Sequence, residues 1–173
     1  MKLNKPKFWD NKFNAISFLL YPFSLIIILT IFLKKKFTKK IKFDVPVICV
    51  GNIYIGGTGK TPTSIFLANE LLKFNKNPVI LRKFYKAHKD EHNLIKHNFK
   101  NFIISENRID GIFQAKHMKF DSIILDDGFQ DCAIEKDLSI ICFNQKQLIG
   151  NGLVLPAGPL RESLNSLKKV DVI

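Results

Sequence analysis

Val45-Pro46-Val47-Ile48-Cys49-Val50-Gly51-Asn52-Ile53-Tyr54-Ile55-Gly56-Gly57-Thr58-Gly59-Lys60-Thr61 is the stretch on which the fold turns. Val45 to Val50 is a short apolar run that stops at Gly51, the pattern of a strand buried on both faces of a parallel sheet. The glycine-rich turn Gly56-Gly57-Thr58-Gly59 follows, and then Lys60-Thr61. Beyond it Ile65, Leu67, Ala68, Leu71 and Leu72 recur at helical spacing up to Phe74. Pro62 is tolerated in the first turn, where its missing N–H would have no partner. Strand, glycine loop and helix in that order form a phosphate cradle. The loop's backbone N–H groups turn toward phosphate oxygens and the helix adds its N-terminal dipole. Lys60 would reach the β- and γ-phosphates and Thr61 would offer its hydroxyl to Mg²⁺. The strict form of this motif has glycine at position 54, where this chain has Tyr54.

Downstream, further apolar runs at Val79–Leu81, Phe102–Ile104, Ser122–Leu125 and Ser139–Phe143 alternate with stretches that can be helical, such as Ile109–Lys116. The expected fold class is therefore α/β, P-loop NTPase-like, with a mostly parallel sheet flanked by helices in a doubly wound arrangement. Val170–Ile173 reads as the beginning of another strand. Three well-separated cysteines, Cys49, Cys132 and Cys142, suggest neither a disulfide framework nor a metal knuckle and fit a reducing compartment.

Upstream, Ala15–Leu33 contains no charged residue and at 1.5 Å per residue reaches about 28 Å, just enough to cross a hydrocarbon core. Pro22, Ser17 and Ser24, with Phe18, Tyr21 and Phe23, fit an interfacial or re-entrant helix equally well. The expectation is stable membrane association, preceding the α/β fold, with topology open. Lysines rather than a small-residue cleavage site follow the apolar run, which argues against a signal peptide. The net charge of +12 is concentrated here: up to Phe43 there are ten lysines against Asp10 alone, and the remainder is nearly balanced. Anionic membrane lipids, rather than nucleic acid, are the expected partners, and the cluster Lys34–Lys36 with Lys39-Lys40 puts the following domain on the cytoplasmic side.

Asp126-Asp127-Gly128-Phe129-Gln130 follows the run Ile123–Leu125, so two carboxylates emerge at the carboxyl end of a strand, where ligands bind in open α/β sheets. One acid would face a magnesium ion and its neighbour a substrate or structural partner. The basic residues are overwhelmingly lysine, and only Arg82, Arg108 and Arg161 depart from that. Each implies a planar fork holding phosphate or carboxylate, or a buried ion pair.

Together these motifs resemble one family, the tetraacyldisaccharide 4'-kinases, membrane-associated lipid A kinases of Gram-negative bacteria. The resemblance rests on Val45-Pro46-Val47 through Val50-Gly51-Asn52, Gly56-Gly57-Thr58-Gly59-Lys60-Thr61-Pro62, Asp90-Glu91, Asp126-Asp127-Gly128-Phe129-Gln130, Gly150-Asn151-Gly152 and Leu155-Pro156-Ala157-Gly158-Pro159-Leu160-Arg161-Glu162, and covers essentially the whole chain. The family's loop also lacks the first glycine, which accounts for Tyr54. The resemblance implies transfer of the ATP γ-phosphoryl group to the 4'-hydroxyl of an acylated glucosamine disaccharide 1-phosphate, giving lipid IVA, at the cytoplasmic face of the inner membrane. It implies Asp90 as catalytic base, with Lys60 and Asp127 as its catalytic companions. Gly56, Gly57, Thr58, Gly59, Lys60, Thr61, Gln130, Arg108 and Arg161 would bind the nucleotide, and Thr61, Asp126 and Glu162 would hold Mg²⁺. From spacing alone Asp90 reads as a solvated charge. The implied division is a membrane-anchoring segment at 1–43 and a nucleotide-binding kinase domain at 44–173.

The sequence departs from the family in three places. Leu81-Arg82-Lys83-Phe84-Tyr85 stands where the family has Ser-Arg-Gly-Tyr-Gly, and the stretch before Asp90 is shorter by roughly a dozen residues, a loop-sized deletion. Asp131 replaces a histidine. The family's second domain, with a histidine that partners the catalytic aspartate, is expected to be absent, and His88, His92, His97 and His117 read as core or surface residues. The rival expectations are a membrane-tethered nucleotide-binding module without kinase activity and an unrelated P-loop ATPase or GTPase switch.

Overall fold

Apolar runs bounded by turn residues become strands, and the alternation of their side chains decides which helix covers which face. The computed structural model describes residues 5–12, 14–85 and 89–173. Among them, β1 (Val47–Gly51), β2 (Pro78–Lys83), β3 (Phe102–Ser105), β4 (Ser122–Asp126) and β5 (Leu138–Ile141) form a five-stranded sheet in the order β3-β2-β4-β1-β5. Every pairing is parallel. The helices are α1 (Ala15–Phe37), α2 (Lys60–Lys73), α3 (Lys89–Asn98) and α4 (Arg108–His117). The chain divides into two compact units, one of Lys39–Asn52, Gly59–Cys142 and Val170–Ile173, the other of Met1–Thr38, Ile53–Thr58 and Phe143–Lys169.

The first unit holds the sheet. Val50, Ile80 and Ile124 point to one side and pack with Ala68 of α2 and Ile95 of α3. Their neighbours Val47, Val79, Leu81, Ile123 and Leu125 point to the other and pack with Ile112 and Ala115 of α4. Period-two alternation on strands buried from both sides is what a doubly wound sheet requires, so the expected fold class holds. Register then sets the site. Asp126 lies beside Val50 of β1 and Arg82 of β2, in one row across three strands at their carboxyl ends. At the chain's end Val172 bridges Ile140 of β5 in parallel, as the strand-like pattern at Val170–Ile173 suggested.

The second unit is built on α1. Asn14 caps it by accepting from the Ile16 N–H, and Lys34, Lys35 and Lys36 end it, where cations favour the helix dipole. Its buried residues are the polar pair Ser17 and Ser24, whereas Phe18 is 82% exposed and Leu19, Phe23, Ile26, Leu29 and Phe32 are exposed as well. The serine stripe is met by a loop. Ser24 Oγ donates to Val154 O (2.8 Å) and accepts from Ala157 N–H (3.1 Å), and Asn151 Nδ2 donates to Ser17 Oγ (3.2 Å). Trp9 Nε1 donates to Pro156 O (3.1 Å), and Lys35 pairs with the buried Glu162. The helix is long and apolar enough to cross a membrane by length and composition.

Candidate functional site

The helix start builds the site. Gly59 caps α2 in the left-handed region (φ +87°) and Gly56 has φ +118°, conformations that side chains disfavour and glycine adopts freely. Intrahelical bonding begins with Thr63 N–H donating to Gly59 O (3.1 Å), so the first turn of α2 presents its N–H groups forward, toward an anion. Lys60 and Thr61 lie in this first turn, Ser64 follows just beyond it, and all three are buried.

The two acids of the Asp-Asp-Gly segment part company here. Asp126 ends β4 fully buried. Its Oδ1 accepts from Ser64 Oγ (2.9 Å), and its Oδ2 accepts from Thr61 Oγ1 (3.2 Å) and from Arg82 Nη1. Asp127 turns out of the strand with φ +56°, its N–H donating to Val50 O (2.9 Å), and its Oδ1 lies 4.0 Å from Lys60 Nζ. An aspartate tolerates this left-handed conformation better than most residues, and such positions concentrate at functional sites. Gly51 makes room: a Cβ there would lie 2.5 Å from Phe129 Cβ, so β1 must end in glycine for the segment to fold back over it.

Thr61 Oγ1 and Asp126 Oδ2 suit a magnesium ion. Both are hard oxygen donors, 3.2 Å apart, and Arg82 Nη1, which touches both, would have to give way to the ion. Among the described residues no group of three His, Cys, Asp or Glu could hold a metal, and one carboxylate with one hydroxyl is the donor set of a cation brought in on phosphates.

The remaining sequence-predicted residues divide as follows. Gln130 Nε2 donates to Asn52 O (2.8 Å), tying the segment to the start of the phosphate loop. Arg108 opens α4, donating from Nη2 to Asp127 O (2.6 Å) and from Nη1 to Asp131 Oδ2 (3.4 Å). Asp131, the departure from the family, is thus neutralised by the arginine that also steadies Asp127. Asp90 stands exposed in the first turn of α3, where an acid is favoured by the helix dipole. Gly56, Gly57 and Thr58 belong to the second unit, where Asn144 Nδ2 donates to Gly57 O (3.5 Å). Arg161 and Glu162 belong to it too, the Arg161 N–H donating to Ile53 O (2.6 Å) and Glu162 pairing with Lys35. His92 is buried against Phe84 and Phe102, a core residue, His97 and His117 are exposed, and His88 lies outside the described residues.

Arg82 is a buried fork on two carboxylates, one of the roles its being arginine in a lysine-rich chain implied. Two residues were not among the candidates read from sequence: Ser64 looked like any helical serine, and Glu91, which meets Asp126 through Arg82, passed as the neighbour of Asp90. The helical offset of three from Thr61 to Ser64, which puts both hydroxyls on one face, was the available signal for Ser64.

Residues 16–173 match the family model described as tetraacyldisaccharide-1-P 4'-kinase. A protein of Pelagibacter ubique named tetraacyldisaccharide 4'-kinase is 46% identical over 99% of this chain and 54% of its own length. One of the same name from Rickettsia bellii is 33% identical over 100% of this chain and 59% of its own. Among solved structures, an Aquifex aeolicus LpxK, described as the "apo" form in complex with ATP, superposes with a TM-score of 0.78 at 32% identity, covering 91% of this chain and 58% of that one. The chain therefore spans a little over half the length of the relatives it matches.

Proposed function

The chain belongs to the tetraacyldisaccharide-1-P 4'-kinase family, and on that basis we propose that it serves MgATP-dependent phosphorylation of the 4'-hydroxyl of an acylated glucosamine disaccharide 1-phosphate, giving lipid IVA. The observation that carries this reading is the pairing of Lys60 with Asp127 and of Thr61 with Asp126 at the carboxyl ends of the central strands. The ATP named in the solved relative supports it.

In this reading the N-terminal turn of α2 would hold the triphosphate through backbone N–H groups, Lys60 would neutralise the transferring group, and Thr61 with Asp126 would hold Mg²⁺. When bound, that ion offsets charge on the β- and γ-phosphate oxygens. Asp127 orients Lys60 from 4.0 Å. Asp90 accepts the proton of the 4'-hydroxyl as the new O–P bond forms, the bond from the γ-phosphorus to the bridging oxygen breaks, and ADP leaves. Gln130 and Arg108 would line the nucleotide.

Residues 1–43 anchor the protein to the inner membrane, with 44–173 as the nucleotide domain on the cytoplasmic face. We infer that α1 lies in the membrane interface rather than across it. Ser17, Ser24 and Lys35 of α1 are engaged by Asn151, Val154, Ala157 and Glu162 along nearly its whole length, and Trp9, ahead of the helix, donates to Pro156 O. A spanning helix would carry those polar loops into hydrocarbon, where unsatisfied backbone costs several kcal/mol per group. Lying flat, the helix puts its apolar face into the bilayer that also holds the acyl chains of the acceptor.

The test is transfer of labelled phosphate from the γ-position of ATP to the disaccharide 1-phosphate in vesicles. The reading predicts a 4'-phosphorylated lipid that disappears in Asp90→Asn. ATP binding that depends on Lys60, with acceptor turnover at background, would instead identify a nucleotide-binding module without transfer activity.

A further inference from the structure

Arg82 is the penultimate residue of β2, in register with Asp126, and only 2% exposed. A guanidinium at that depth persists only where its charge and donors are met. Nη1 donates to Asp126 Oδ2 and, at 3.1 Å, to Thr61 Oγ1, while Nη2 donates to Glu91 Oε2. Glu91 lies in the first turn of α3 directly after Asp90, its side chain 43% exposed. One planar fork thus joins the pair offered to the cation with the helix that carries the candidate base. The fork is rigid, so whatever moves one nitrogen reorients the other. A lysine ammonium, the cation this chain uses almost everywhere else, has no second arm in a fixed plane.

We propose that Arg82 is a positioning residue that ties the first turn of α3 to Thr61 and Asp126 and transmits MgATP binding from that pair to α3. The proposal rests on the nucleotide reading above. The two atoms touched by Nη1 are the two that would hold the cation, so occupancy there sets like charges against each other around one carboxylate. The bond from Arg82 to Asp126 weakens, the bond to Glu91 takes up the charge, and the first turn of α3 becomes better held. A residue that merely neutralised Asp126 would affect stability and leave the response of α3 to nucleotide unchanged.

The test measures amide hydrogen exchange across residues 89–98 in the full chain with and without MgATP, alongside affinity for a fluorescent ATP analogue. In the unsubstituted protein MgATP is expected to slow exchange at residues 93–96, whose N–H groups bond back to the carbonyls of the first turn of α3, about fivefold or more. Glu91→Gln changes an exposed partner and leaves the fold intact. It should keep nucleotide affinity within about threefold and lose the slowing, because a neutral amide no longer draws the guanidinium. Arg82→Lys should also lose it. Slowing that persists in Glu91→Gln would overturn the proposal, as would an unsubstituted protein that binds MgATP while α3 stays unchanged. A protein that fails to bind MgATP at all would sink the nucleotide reading, and the role of Arg82 with it.

Discussion

Asp126→Asn removes one charge from the centre of the site without changing its shape. Asp126 is fully buried and receives only donors: Ser64 Oγ at 2.9 Å on Oδ1, Thr61 Oγ1 at 3.2 Å and Arg82 on Oδ2. A carboxamide can keep its oxygen toward Arg82 and turn its NH2 toward Ser64, whose hydroxyl rotates to accept. The hydrogen bonds survive and the charge does not. The buried guanidinium then loses its counter-charge at Asp126 and keeps the one at Glu91. Breaking a buried pair in this way costs about 3–5 kcal/mol, and the surviving partner favours the lower end, near 3 kcal/mol. With a urea dependence of about 2 kcal/mol per molar, the unfolding midpoint should fall by roughly 1.5 M, read by circular dichroism in detergent micelles. Arg82→Met in the same background should recover part of the loss, since no unpaired cation remains buried. A midpoint that moves by less than about 0.5 M, or a double variant weaker than Asp126→Asn, would refute the argument.

Burial pushes the Cys49 thiol up to about 12, so at pH 8 it should resist alkylation in the folded protein and react fully in urea, as mass spectrometry of the labelled peptide would show. Ser24→Ala deletes the hydroxyl that bridges Val154 O and Ala157 N–H. It should destabilise the docking of 151–157 on α1 by about 1–3 kcal/mol, seen as faster proteolysis within that loop.

Much of this architecture was legible because the strands are buried on both faces. Such strands read as plain apolar runs, and each of the five falls on a run that stood out between turn residues. β1 starts at Val47 rather than Val45 because Pro46 donates nothing to a ladder. α1 continues past Leu33 to Phe37 because lysine is a good helix former and is favoured at a carboxyl terminus, so the helix outlasts the apolar run. α3 gave little signal: its sequence is mostly polar, and Ile95, the residue that fastens it to the sheet, is one apolar side chain among charges. The pairing of Thr61 with Asp126 followed from motif order on a parallel sheet. Which carboxylates Arg82 would meet could not be assigned beforehand, because that depends on lateral register between β2 and β4, and register is a property of the assembled sheet. The loop from 151 to 157 was recognisable only as a motif, and its grip on two serines of an apolar helix became visible once both were in place.

The claim on which the rest depends is that Lys60 and Thr61, with Asp126 and Asp127, form an MgATP site. Titration calorimetry of the intact chain with ATP, with and without Mg²⁺, against Lys60→Ala tests it most directly. The account predicts binding that requires Mg²⁺ and weakens by about a hundredfold in the variant, the loss of one charge-assisted phosphate contact of about 3 kcal/mol. Equal affinity in the two proteins, or no binding to the unsubstituted chain, would contradict it.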